Sequence, residues 1–168
     1  MSKCLISNIS KSILNDFKYE YSYLTPKDVD VEMKDLVLES NDIENRLPIS
    51  FPFVYFFDYE EEQKIEISKY FKEKGINPIY CASTSTNLLW TLRNLIDEII
   101  KEHNTFYAIH TLQDLIKRVM KLPINENKDR IEKALMDSFI VLQNKDLNQM
   151  NEKINELQLL LRDNMKDA

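Results

Sequence analysis

The sequence predicts an α/β fold: a small, open, mainly parallel sheet of about four strands with flanking helices, followed by a C-terminal helical extension. Three observations carry this. Phe53 to Phe57 is an unbroken apolar run, the pattern of a strand buried on both faces. Strand-like and helix-like stretches alternate around it, as they do where helices cover both faces of a sheet. Beyond His103 helical periodicity dominates, so the expected division is an α/β domain over 1–103 and a helical extension over 104–168.

Taken in order, Cys4 to Ile9 reads as a short strand, Lys11 to Phe17 as a turn or short helix, and Tyr19 to Leu24 as a second strand of aromatic residues alternating with polar ones. The link between them is short for a parallel crossover, which needs roughly ten residues or more. Thr25 and Pro26 start a helix: the threonine hydroxyl caps it, and the proline sits in the first turn, where no N–H is needed. Val29, Met33, Leu36 and Val37 keep helical spacing, and Ser40 to Ser50 is a polar connector. After Phe57, Tyr59 to Lys74 reads as a helix with Glu60, Glu61 and Glu62 at its positive end and Gly75 closing it in the left-handed conformation. Ile76 to Ala82 is the next strand.

It delivers the chain into S-T-S-T-N-L-L-W-T-L-R-N-L-I, residues 83–96. With Thr86 as N-cap, the helix is expected to begin near Asn87. Leu88, Leu92, Leu95, Ile96 and Ile99, widened by Leu89 and Ile100, form its sheet-facing stripe. At about 100° per residue, Trp90 then falls opposite that stripe, beside Arg93, Asn94, Asp97 and Lys101. The pattern T-x-T-N-x-x-W-T-L-x-x-L, here Thr84, Thr86, Asn87, Trp90, Thr91, Leu92 and Leu95, resembles a small bacterial family catalogued as domain of unknown function 3783. The resemblance covers about residues 52–103 and brings no activity with it. It implies a compact α/β unit in which Thr86, Asn87 and Trp90 are the positions to watch. Serine and cysteine around Thr84 stand in place of the proline-containing form of the motif.

In the extension, Phe106, Ile109, Leu112, Ile116 and Val119 fit another helix, with 105–109 also readable as a fifth strand. Pro123 breaks the chain. Ile131, Leu135, Phe139 and Leu142 mark a helix from about Glu126 to Gln143. Leu147, Met150, Ile154, Leu157 and Leu161 then step by three and four, a seam of just over two heptads. Two readings stand: an αα-hairpin packed on the domain, or self-association through the seam.

Composition removes several functions. The 168 residues carry a net charge of -6, and residues 26–66 hold twelve acidic against four basic side chains. Nucleic-acid binding starts from a basic surface, so none is expected. No apolar run reaches the roughly 18 residues of a membrane span and the start is polar, so no membrane association and a cytoplasmic location are expected. A single glycine excludes a glycine-rich phosphate loop. Cys4 and Cys81 make no C-x-x-C and read as buried thiols. His103 and His110, seven apart, lie about 10 Å from each other along a helix, too far to share a metal unaided. No metal, cofactor or catalytic residue is therefore expected.

Two functional readings remain. The first is a non-enzymatic protein–protein interaction or regulatory module, meeting a protein partner or a second copy through Trp90 and Asn94 or through the seam Leu147, Met150, Ile154, Leu157 and Leu161. The alternative is a small-ligand or phosphate sensor at the carboxyl ends of the strands, where Asn8, Asp58, Ser83, Thr84 and Ser85 would meet the helix start at Thr86 and Asn87.

Overall fold

A computed structural model describes residues 1–123 and 126–166. The chain divides into two compact units, Met1–Ile96 and Asp97–Ala168.

The first unit holds one four-stranded sheet: β1 (Lys3–Ser7), β2 (Tyr21–Tyr23), β3 (Phe53–Phe57) and β4 (Ile79–Ala82), in spatial order β2-β1-β3-β4. β1 pairs with β2 and β3 with β4 in parallel, while the central pair, β1 with β3, is antiparallel and in register at Leu5↔Tyr55. The predicted α/β class is observed, with a sheet that is mixed but mostly parallel. The first two strands are shorter at their facing ends than the sequence suggests, so the link from Asn8 to Glu20 is long enough for a parallel crossover around one 3-10 turn, Lys11–Leu14.

Strand alternation sorts the core onto two faces. Cys4 and Ile6 of β1, with Val54 and Phe56 of β3, cluster with Ile67 and Phe71 of α2 (Glu61–Glu73). Tyr80 stacks on Phe56 at 5.2 Å between ring centroids. Leu5, Phe53 and Tyr55 point the other way and are fully buried too, which is why Phe53 to Phe57 reads as continuously apolar. α2 starts as its sequence predicts. Glu60 and Gln63 form a reciprocal capping box, Glu61 and Glu62 occupy the first turn, and Gly75 closes the helix at φ +79°.

Where the sequence suggests one helix after Thr25, the chain makes a 3-10 turn, Pro26–Asp28, and then a short helix, α1 (Met33–Leu36). The same break recurs after β4 and corrects the expected helix start. Asn87–Leu89 is a 3-10 turn, Trp90 is extended (φ -79°, ψ 149°), and α3 begins only at Leu92. Trp90 thus precedes the helix, and a helical wheel does not apply to it. Leu89, expected in the buried stripe, is 63% exposed for the same reason, whereas Leu92 and Leu95 are buried as expected.

In the second unit α3 (Leu92–Met120) continues from residue 97, followed by α4 (Lys128–Asn144) and α5 (Leu147–Lys166). Residues 105–109 are helical, within α3. Lys145 takes the left-handed conformation (φ 53°) that ends α4, and α5 packs back on α4. The core joins Leu112, Leu115, Ile116 and Val119 of α3, Ile131, Ala134 and Val141 of α4, and Met150, Leu157 and Leu160 of α5.

Candidate functional site

The strand ends, Trp90 with Asn94, and the seam of α5 are the places to which the sequence points, and each has a definite geometry. Asp58 and Ser83 follow the carboxyl ends of the paired strands β3 and β4, and the amide of Ser83 donates to the Phe56 carbonyl at 2.8 Å. Asp58 is exposed and takes φ 61°, a conformation open to Asp and Asn at little cost. Its carboxylate lies 3.5 Å from the amino group of Met1, and its carbonyl accepts from Ser2 at 2.7 Å. Asn8 is not part of this edge. Because β1 runs against β3, Asn8 sits at the opposite end of the sheet, where its side chain bonds Leu47 and Ile49.

The loop after β4 is built around Asn87, which is 7% exposed. Its side-chain oxygen accepts from the Tyr55 hydroxyl at 2.7 Å and from the Thr84 amide at 2.9 Å. Its side-chain nitrogen donates to the Ala82 carbonyl at 2.9 Å, and its amide donates to the Thr84 hydroxyl at 3.0 Å. Burial holds the Tyr55 phenol well above its ordinary range, so it stays a donor to Asn87. The Thr84 and Asn87 side chains are thus engaged within the loop. Thr86, exposed and helical in backbone, makes no capping bond with its side chain.

The start of α3 is likewise occupied. The Leu92 amide donates to Val31 at 3.0 Å, Arg93 to Val29 at 2.8 Å, Asn94 to the Thr91 hydroxyl at 3.3 Å, and Leu95 to the Thr91 carbonyl at 3.0 Å. Those are the donors an anion would need, and each already has an acceptor. Trp90 is half-buried and its carbonyl accepts from Met33 at 2.8 Å, while Asn94 is exposed.

The seam of α5 faces inward. Met150 and Leu157 are fully buried, and Leu147, Ile154 and Leu161 pack against the same core. An apolar surface does exist in the second unit, on a helix from which the sequence drew only core positions. α4 buries Ile131, Ala134, Ser138 and Val141, yet also exposes Met136 at 67%, Phe139 at 49% and Ile140 at 54%. The signal was there: apolar residues at 136, 139 and 140 keep helical spacing on the side away from Ala134 and Ser138. Beside it, one turn before Phe139, Leu135 lines a cleft of about 240 Å³ with Val119, Met120, Leu122, Pro123 and Ile131.

Among the described residues no group of three His, Cys, Asp or Glu side chains is placed to hold a metal, and no helix is long and apolar enough to cross a membrane. His103 and His110 are both exposed on α3. Searches of curated proteins and of solved structures found no match. Residues 54–106, from β3 into α3, match the family described as domain of unknown function (DUF3783), in agreement with the motif at Thr84 to Leu95. Over those residues the chain is similar to the DUF3783 family.

Proposed function

We propose that the protein acts by binding another protein, as a non-enzymatic interaction module, and that α4 supplies the contact surface. The observation that carries this is the exposed stripe Met136, Phe139 and Ile140, on a helix whose opposite side is already core. Three large apolar side chains within about one turn present a continuous patch to water, the composition found at the centre of protein interfaces. Charged neighbours, Glu132, Lys133 and Asp137, supply a polar rim, and the cleft at Leu135 offers a pocket for an anchoring side chain. An apolar helix or loop of a partner fits this surface. At the strand ends the hydrogen bonds of Thr84 and Asn87 close the loop after β4.

The test compares what co-purifies with tagged full-length protein and with the double variant Met136→Glu, Ile140→Glu. Both side chains are exposed, so the variant should melt with its parent, surface changes being worth about 0.5 kcal/mol or less. The expected result is a stoichiometric partner lost with the double variant and kept with Thr86→Ala at the strand ends. A partner retained by the charged variant, or none with either protein, contradicts the proposal.

A further inference from the structure

The first unit contains the same substructure twice. β1 and β3 each span five residues, and each is followed by a residue of left-handed conformation, Asn8 at φ 62° and Asp58 at φ 61°. A buried residue comes next, Ile9 or Tyr59, then an extended helix-capping residue, Ser10 or Glu60, and then a helical turn from Lys11 or Glu61. Positions match at an offset of 50. After the crossover they match again at an offset of 59: Cys4 pairs with Tyr21 as Val54 pairs with Tyr80, and Ile6 with Tyr23 as Phe56 with Ala82. The second crossover is therefore nine residues longer, which is the difference between a 3-10 turn and α2.

The correspondence continues through the motif. Thr25 and Asp28 form a reciprocal capping box, as Thr84 and Asn87 do. A three-residue 3-10 turn follows in each half, directly after Thr25 in the first and two matched places later, at Asn87–Leu89, in the second, and a second helix start follows at Met33 or Leu92. The two halves then touch symmetrically. The Met33 amide donates to the Trp90 carbonyl at 2.8 Å and the Leu92 amide to the Val31 carbonyl at 3.0 Å, around the bridge Glu32↔Thr91. Exchanging the halves turns one bond into the other. In the antiparallel pair the same exchange turns Lys3↔Phe57 into Ser7↔Phe53 and leaves Leu5↔Tyr55 in place. Two separate contacts thus obey one two-fold relation, the geometry of an isologous interface.

We infer that residues 3–37 are a second, diverged copy of the unit at 53–96, and that the β1-facing edge of β3 together with Trp90–Leu92 is a self-pairing surface whose partner is another copy of that unit. In this chain the first half occupies it, so the unit is a dimer fused within one polypeptide. The matched family segment is one half of that arrangement.

Two changes in the full-length chain test the equivalence. Pro26 sits in the first turn of its box, and Ser85 holds the matching place. Ser85→Pro is expected to fold and to melt at or above the parent temperature, because proline suits the first turn of a helix. A loss of about 5 °C or more, the size of effect a misplaced proline gives, overturns the equivalence. The second change replaces residues 25–32 with the sequence of 84–91, either in register or one place late. The in-register graft should melt cooperatively and the shifted graft should not. Shifted and in-register grafts of equal stability overturn the inference; if neither graft folds, the Ser85→Pro melt decides it.

Discussion

Asn87→Ala should be among the most damaging single changes in the first unit, although it removes only a small polar side chain. The side chain makes three hydrogen bonds with oxygen and nitrogen partners, from Tyr55, from Thr84 and to Ala82, and a longer one to the Cys81 sulfur at 3.8 Å. Each of the first three contributes about 1 kcal/mol net, and stranding the buried Tyr55 hydroxyl adds about 1–3 kcal/mol, so the loss should be about 4–6 kcal/mol. A double-mutant cycle separates the shared part. Tyr55→Phe alone should cost about 1–1.5 kcal/mol. In the Asn87→Ala background it should cost nothing or stabilise, because the stranded hydroxyl is gone, giving a coupling of about 1–2 kcal/mol. Urea unfolding followed by fluorescence is the assay, since the only tryptophan, Trp90, lies three residues from Asn87 and reports the first unit. A loss below about 1 kcal/mol, or strictly additive effects, would refute the account of the loop as a closed hydrogen-bond knot.

Other expectations follow from burial and charge. Leu157→Ala, at a fully buried position, should cost about 2–5 kcal/mol by chemical denaturation, whereas Leu159→Ala, half-exposed two residues on, should stay within about 0.5 kcal/mol. Burial pushes the Cys4 thiol up to about 12, with its Tyr59 hydrogen bond opposing in part. Mass-mapped alkylation at pH 8 should therefore label Cys4 only after unfolding; rapid labelling of the native protein would contradict its placement. Hydrogen bonds from Lys74 and Tyr70 hold the Asp16 carboxyl below its ordinary value of 3.8. A lowered folded value gives a stabilisation that is present above the unfolded value and is lost as pH falls through the folded one. Asp16→Asn should flatten that part of the acid limb of the stability profile, and an unchanged limb would rule the pair out as a contributor.

What the sequence made legible was mostly local. The five-residue apolar run, the acidic first turn of α2 and the closing Gly75 all act through nearest neighbours, so composition and spacing suffice to place them. The family resemblance over about residues 52–103 is likewise local in sequence, and the family match covers 54–106. The expected cap at Thr86 puts Trp90 inside a helix, whereas the reciprocal bonds of Thr84 and Asn87 precede a 3-10 turn that leaves Trp90 extended. Only Asn87 reaching back to Tyr55 and Ala82 ends the turn and lets the helix restart at Leu92. The position of Asn8 depends on strand direction, which no local pattern encodes. The seam of α5 spaces its leucines as a hairpin or a dimer would, and burial assigns them to the core of the second unit. The internal duplication was hidden by divergence and by nine extra residues in one crossover; few matched positions keep the same residue, Thr25 and Thr84 or Leu36 and Leu95 among them.

The most direct measurement of the proposed role replaces Phe139 in the full-length protein by the photoreactive p-benzoyl-phenylalanine and irradiates living cells. The account predicts one discrete adduct with a partner protein, absent when Met136→Glu is added and absent when the same group stands at exposed Lys72 of α2. Equal labelling from positions 139 and 72, or no adduct from 139, would contradict it.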